Sequence, residues 1–241
     1  MPENPLLPHR KLQELHTLML RCRVLERKDK SRNAAREALL AATSIHLLPG
    51  DLLSASATDR TAGELSPEGK KPIANGSLIA ASSLGSRLTV CAAAARGLQA
   101  AGADGLVLAY AQAGAIEPGW QAALEWAQQC QLPMLLACAD ATGGHASRSN
   151  KRKEPAIEFA SIGRFATRVK LPVLTVDGED AVAVYRVMQE SALRARLGGG
   201  PAVIWAVMTP LGAAAPKMSR SSQPIARLES YLAARKIPFG R

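Results

Sequence analysis

Strand, loop, helix and strand follow one another twice along this chain, and few folds accommodate that order. The first unit joins the apolar strands Leu106–Tyr110 and Met134–Cys138 through one helix. The second joins the strands Val173–Val176 and Ala202–Val207 through the helix Asp180–Leu197. Parallel strands need a crossover connection of this kind, whereas antiparallel strands can be joined by a short turn. The sequence therefore predicts an α/β fold with a mainly parallel sheet flanked by helices.

Helical patterns account for much of the remaining sequence. Apolar residues recur at intervals of three and four, or alanine dominates, over Lys11–Lys30, Asn33–Leu47, Ser86–Ala101 and Pro224–Arg235. Hydrophobic residues make up 47% of the chain and aromatic residues only 4%, which predicts an aliphatic core between layers of helices and a sheet. We expect a flexible N-terminus over residues 1–10, a single domain over 11–241, and loops at about 51–75, 142–156 and 208–223.

Charge and cysteine usage limit the partners and the compartment. The net charge of +10 attracts polyanions, and a basic run lies at Arg148–Lys153, but no aromatic residues alternate with the basic ones as base stacking requires. This argues against nucleic acid and leaves an anionic acyl-carrier domain as an alternative partner for the basic run. The four cysteines lack metal-ligand spacing and no apolar run reaches membrane length, so we expect reduced thiols in a cytoplasmic protein without a membrane span.

Two loops follow neighbouring strands at the edge where open parallel sheets bind ligands. They are Ala111–Glu117 and Asp140–Gly144. The free amides and the dipole of a helix N-terminus favour anions at such positions. The sequence therefore predicts a site for a diphosphate cofactor at this edge. His145 lies just beyond the second loop, and we interpret it as an exposed loop residue because no carboxylate partner is evident.

Several short strings occur in an order and spacing that resemble one enzyme family. They include Leu48-Pro49-Gly50-Asp51, Leu132-Pro133, Val176-Asp177-Gly178-Glu179-Asp180, Gly200-Pro201 and Pro224-Ile225-Ala226-Arg227-Leu228. Together they resemble the alpha subunit of the decarboxylating first component of 2-oxo acid dehydrogenases of the pyruvate and branched-chain type. The resemblance implies a three-layer thiamine-diphosphate-binding fold, thiamine diphosphate and magnesium as cofactors, and a homo- or hetero-oligomer with a beta-type chain.

The sequence departs from this family at the positions that would hold magnesium. Counting from Leu132-Pro133 places Gln112 where the family has a metal-binding Asp, and Ala141 where it has an Asn ligand. Magnesium needs about six oxygen ligands in near-octahedral geometry, so an amide and a methyl group are poor substitutes. Asp140 neighbours the missing Asn, which leaves Gln112 and Asp140 as the candidate metal ligands.

The positions that would hold the diphosphate are altered as well. The resemblance implies a cofactor-binding region made of Gln112, Ala113, Gly114, Asp140 and Ala141. Ala111 and Ala113 stand where the family has glycines that let the backbone approach the diphosphate. Ala57-Thr58 stands where the family has a Tyr-Arg pair that binds the diphosphate, and Arg60 stands where the family has a His. Glu37 and Glu125 are interpreted as solvated or interface carboxylates.

Two functions remain as alternatives. The first is an alpha-type subunit related to thiamine-diphosphate-dependent oxidative decarboxylation of a 2-oxo acid, an oxidoreductase reaction, with cofactor binding impaired or absent and no catalytic residue identified. The second is a non-catalytic structural or regulatory partner of a beta-type chain or of an intact paralogue. Trp120, Trp126 and Trp205 are interpreted as anchors for core packing or for a partner subunit, which the sequence does not distinguish.

Overall fold

Five parallel strands form one sheet at the centre of the molecule. The computed structural model describes residues 7–26, 35–56, 59–65, 84–115, 119–142, 157–210 and 223–240. In chain order the strands are β1 (Leu52–Ser54), β2 (Val107–Gln112), β3 (Met134–Asp140), β4 (Val173–Asp177) and β5 (Ala202–Val207). They are arranged in the order β1-β2-β3-β5-β4, and every neighbouring pair is parallel.

Helices cover both faces of this sheet. They are α1 (His9–Glu26), α2 (Glu37–Ser44), α3 (Arg60–Gly63), α4 (Leu84–Ala100), α5 (Trp120–Gln129), α6 (Phe159–Val169), α7 (Ala181–Arg196) and α8 (Pro224–Ala234). Residues of α1, α2, α7 and α8 pack on one face, which we call the α7 face. Residues of α4, α5 and α6 pack on the other, the α5 face. The predicted three-layer α/β fold is confirmed.

Alternation along the strands decides which side chains reach each face. In β2, Leu108 and Tyr110 belong to the core of the α7 face, while Val107, Ala109 and Ala111 belong to that of the α5 face. Successive residues of a strand point to opposite faces, and both faces here are covered, so these strands read as continuous apolar runs. This alternation governs the candidate site described below.

Both predicted strand-helix-strand units are confirmed, with β2-α5-β3 as the first and β4-α7-β5 as the second. The start of α7 has a local cause. The Asp180 carboxylate accepts hydrogen bonds of 3.0 Å from the backbone N–H groups of Val182 and Ala183, which the helix itself leaves without partners. Among the described residues, no helix combines the length and the apolar character that crossing a membrane requires.

Three features differ from the prediction. The region expected as a loop at about 51–75 contains β1, whose Leu52 pairs with Val107, and also α3. So short a strand depends on its partner β2 and leaves little periodicity to recognise. The N-terminus is ordered earlier than expected, since α1 begins at His9 and Leu7 is buried. Helix α6 had no predicted counterpart, although Ile162, Phe165 and Ala166 bury one of its faces.

Candidate functional site

The predicted cofactor-binding residues do lie together at the carboxyl edge of β2 and β3. Gln112 is the last residue of β2 and pairs in register with Ala139 of β3. The chain then turns through Gly114, whose φ of 80° lies in the left-handed region that favours glycine. The Gly114 N–H donates to the Ile157 carbonyl over 2.8 Å, and the Ile157 N–H donates to the Ala115 carbonyl over 2.9 Å. The loop after β2 is therefore tied to the segment that enters α6.

The two candidate metal ligands point to opposite faces of the sheet. Gln112 continues the series of Leu108 and Tyr110 and so projects on the α7 face. Ala141, at the Asn position, packs on that same face. Asp140 instead follows Cys138 on the α5 face. Bringing Asp140 beside Gln112 would require β3 to slip by one residue, which would turn every buried side chain of β3 to the wrong face.

Hydrogen bonds already occupy both carboxylate oxygens of Asp140. One oxygen, Oδ1, accepts from the Thr142 N–H at 2.9 Å and from the Thr142 hydroxyl at 2.6 Å. The other, Oδ2, accepts from the indole Nε1–H of Trp205 at 3.0 Å. Asp140 is buried, and Trp205 is 1% exposed. A buried carboxylate with this set of donors is satisfied within the protein, and binding a metal would mean giving up at least one of these hydrogen bonds.

Ala111 and Ala113, predicted to stand at two glycine positions of the family, are part of the hydrophobic core. Ala111 is buried in the core of the α5 face, and Ala113 packs against it. The structure thus gives their methyl groups a packing role on the helix α4 and α5 side. Ala57, Thr58, His145 and the run Arg148–Lys153 lie outside the described residues, as does the side chain of Arg60.

A group of buried charges, missed by the sequence analysis, joins α1, α2 and the start of α3. The Arg36 guanidinium binds both carboxylate oxygens of Asp59, at 2.5 and 3.0 Å, and donates through Nε to Glu26 at 3.0 Å. Beside it, Arg23 forms an ion pair with Glu37. Glu37 is 1% exposed, so its interpretation as a solvated or interface carboxylate is wrong. We call these five residues the buried ion-pair cluster.

Burial and these charges shift neighbouring pKa values. Burial alone would lower the pKa of Arg36, but its hydrogen bonds and attraction to Asp59 and Glu26 outweigh that effect and raise it. Burial, followed by the negative charges of Glu26 and Glu37, raises the pKa of the Cys22 thiol to about 12. Burial also raises the pKa of Tyr110, whose hydroxyl is hydrogen-bonded to Thr43. These groups keep fixed protonation states near neutral pH and suit a structural role.

Comparison with known proteins identifies the family. The model of the dehydrogenase E1 component family matches residues 62–209, more than half of the chain. The chain belongs to this family. It is 37% identical over 97 residues to 3-methyl-2-oxobutanoate dehydrogenase subunit alpha of Mycobacterium tuberculosis, in strain CDC 1551 / Oshkosh and in strain ATCC 25618 / H37Rv alike. The match covers 35% of this chain and 25% of that subunit, so this E1-family chain corresponds to about a quarter of its relative's length.

Solved structures agree on the fold of this E1-family chain. A chain described as a thiamin diphosphate-dependent enzyme from Mycobacterium smegmatis superposes with a TM-score of 0.51 at 16% identity, covering 73% of this chain and 32% of the other. Benzoylformate decarboxylase from Polynucleobacter necessarius superposes with a TM-score of 0.51 at 14% identity, and the superposition covers 72% of this chain and 33% of the decarboxylase chain. At such identities the likeness concerns the fold alone. It confirms the predicted thiamine-diphosphate-binding fold.

The residues of this E1-family chain do not fit the metal that accompanies thiamine diphosphate. Gln112 and Ala141, which the sequence comparison predicts at the two ligand positions, lie on the same face of the sheet and offer a neutral amide and a methyl group. Asp140 offers a carboxylate on the other face, and its oxygens are already bonded. In the part of the chain that the structure describes, no three His, Cys, Asp or Glu residues form a group able to hold a metal ion. Magnesium prefers carboxylates among its ligands, and neither Gln112 nor Ala141 supplies one.

The remaining candidates in this E1-family chain have structural roles. Trp120 is fully buried and packs edge-on against Phe165, with ring centroids 5.1 Å apart. Trp205 is buried beside Asp140, so Trp120 and Trp205 both anchor the core. Trp126, in contrast, is 37% exposed. Glu125 lies at the surface, 3.7 Å from Arg168, as predicted for a solvated carboxylate. The structure describes all four cysteines, and none of them forms a disulfide bond.

Proposed function

We propose that this chain is an alpha-type E1 subunit that does not hold magnesium and thiamine diphosphate in the family manner, and that it serves as a non-catalytic partner of a beta-type chain or of an intact paralogue. One observation carries the proposal. The only carboxylate among the candidate ligands, Asp140, hydrogen-bonds Trp205 and Thr142 on the face opposite Gln112. The protein uses this carboxylate to fix the ends of β3 and β5.

The energetic argument favours loss of the cofactor over a rearranged site. Removing the Asp140 carboxylate from Trp205 would leave a buried indole N–H without an acceptor, at a cost of about 1–3 kcal/mol. Shifting β3 by one residue would cost far more, because every side chain of this fully buried strand would move to the opposite face, where the core is packed around different side chains. Neither change would supply a second carboxylate at Gln112.

The competing function is oxidative decarboxylation of a 2-oxo acid, with transfer of the acyl group to lipoamide. Membership of the E1 family favours it, and the name of the mycobacterial relative points to 3-methyl-2-oxobutanoate as one substrate class. That reaction depends on thiamine diphosphate, which acts as the carbanion-stabilising group. The two functions therefore differ in one measurable property, the binding of the cofactor together with its metal.

Titration calorimetry with thiamine diphosphate and Mg²⁺ tests the proposal, with and without a candidate beta chain. We expect no cofactor binding in either condition, while the protein still associates with the beta chain. The double variant Gln112→Asp with Ala141→Asn restores the family ligand types on one face, and each single variant is its matched control. Magnesium-dependent binding by the unaltered protein with a dissociation constant below about 100 µM would contradict the proposal and support the enzyme.

Two further properties are proposed on the same basis. The first is a cytoplasmic location, which is supported by the lack of disulfide bonds among the four cysteines, all of which the structure describes. A partner chain rather than nucleic acid is the proposed ligand, and this is testable because binding through phosphates weakens steeply as salt is raised. An association that is insensitive to salt would support a protein partner.

A further inference from the structure

Strand β4 lies at an edge of the sheet, and some backbone N–H and C=O groups on its outer side point away from its neighbour β5. Within the described residues β4 pairs only with β5. The Pro172 carbonyl accepts from the Val203 N–H, and the Gly178 N–H donates to the Val207 carbonyl. Since backbone groups alternate along a strand, the N–H and C=O groups of Val173 and Thr175 point away from β5. An edge of this kind is a template for another strand.

A groove of about 400 Å³ runs beside this edge on the α5 face. Val173 and Thr175 line it from the sheet, and Gly163, Ala166 and Thr167 line it from α6. A Cβ atom built on Gly163 would meet no atom within 4 Å, so the groove is open at this point. Because these α6 residues are small, a second protein surface can approach the helix closely.

The charges along β4 are arranged with opposite signs at its two ends. The exposed Lys170 precedes the amino end, and in the part of the chain that the structure describes it forms no ion pair. Asp177 and Asp180 stand at the carboxyl end with side chains 51% and 41% exposed. Arg227 lies 2.9 Å from Asp177 and 3.6 Å from Asp180, so it offsets part of this negative charge. Such a strand is complementary to a copy of itself that runs in the opposite direction.

We propose that β4 pairs antiparallel with β4 of a second copy of this chain, about a two-fold axis that passes midway between the two Thr175 residues. Thr175 then faces Thr175 of the other copy, and Lys170 approaches the acidic carboxyl end of the opposite strand. A two-fold axis perpendicular to the sheet keeps both grooves on one face, where the two copies of α6 face each other. The interface is isologous and closes as a dimer, which removes both exposed edges. The arrangement is independent of cofactor binding.

Sedimentation velocity over a range of concentrations tests this dimer. We expect a species of twice 25.4 kDa. Thr175→Lys places two like charges across the axis, and Gly163→Trp fills the groove, so each should weaken the dimer by at least about tenfold. The control is Gly97→Trp in α4, another helical glycine with no atom within 4 Å of a built Cβ, and it should leave the dimer intact. A monomer at all concentrations up to about 100 µM, or a dimer resistant to both variants, would overturn the proposal.

A cysteine at the axis gives a position-specific test. Directly opposed residues that exchange hydrogen bonds in an antiparallel pair have Cα atoms about 5.5 Å apart, within the range that a disulfide spans. Thr175→Cys should therefore form a covalent dimer under mild oxidation. Leu197→Cys is the control, because Leu197 is 78% exposed and stands at the carboxyl end of α7, outside the proposed strand pair. Equal cross-linking of the two variants, or none at Thr175→Cys, would count against the arrangement. Circular dichroism checks that each variant is folded.

Discussion

Replacing Arg36 by methionine should destabilise this protein severely, because Arg36 is the centre of the buried ion-pair cluster. Its side chain is 5% exposed and bonds Asp59 and Glu26, whose side chains are 7% and 0% exposed. Methionine keeps much of the volume of the arginine stem but removes the charge. The Asp59 carboxylate then loses the guanidinium that binds both of its oxygens.

The magnitude follows from the burial of the partners. Removing one member of a buried ion pair typically costs about 3–5 kcal/mol, because the other charge remains without compensation. The free energy of unfolding of a typical domain is about 5–15 kcal/mol, so this loss would be a large fraction of the total stability. The double variant Arg36→Met with Asp59→Asn also removes the negative charge of Asp59, so only Glu26 keeps a buried charge without its Arg36 partner. We therefore expect the double variant to recover about 1–2 kcal/mol relative to the single one.

Urea unfolding followed by far-ultraviolet circular dichroism measures these differences, provided that the transition is two-state. Arg186→Met on α7 is the matched control, since Arg186 is exposed and should change stability by no more than about 0.5 kcal/mol. A loss below about 1 kcal/mol for Arg36→Met would show that the cluster contributes little. A double variant no more stable than the single one would show that the uncompensated carboxylate is not the cause.

Two further predictions concern other buried polar groups. Burial lowers the pKa of His46 to about 4, so as the pH falls below about 6.5 His46 takes up a proton in the unfolded chain before it does so in the folded protein. The free energy of unfolding should therefore fall by roughly 2–3 kcal/mol by pH 4. The fall should be smaller in His46→Gln, which urea unfolding at a series of acidic pH values would show. Asp140→Ala should cost about 1–3 kcal/mol, because the Trp205 indole N–H loses its acceptor, and should leave the response to Mg²⁺ unchanged in thermal unfolding. A Mg²⁺-dependent shift present in the unaltered protein and absent from Asp140→Ala would contradict the structural role of this carboxylate.

The buried ion-pair cluster also fixes the entry to α3. Arg36 and Asp59 hold the start of α3 against α2, and Asp59 also accepts a bond of 3.2 Å from the Ala62 N–H. A bound diphosphate is not needed for this connection. The arrangement is consistent with the proposed non-catalytic role.

Local sequence patterns were sufficient to predict the helices and strands whose apolar residues form a continuous run or recur at helical spacing. We could locate the apolar runs of β2, β3 and β5 and the helices α5 and α7, because apolar runs and helical spacing are properties of neighbouring residues. The carboxyl edge of β2 and β3 followed from the same reasoning, since parallel strands end on one side. Strand β1 escaped recognition because its three residues are defined by pairing with β2.

By itself, the sequence determined the two strand-helix-strand units, the aliphatic core and the absence of a carboxylate side chain at Gln112. Only the tertiary structure decided that Gln112 and Asp140 face opposite sides of the sheet, that Trp205 and Thr142 occupy the Asp140 carboxylate, and that Arg36 meets Glu26 and Asp59. The physical reason is distance along the chain. Periodicity reports on residues within a turn or two, whereas strand register and buried charge pairing depend on residues far apart in sequence that meet only when the core closes.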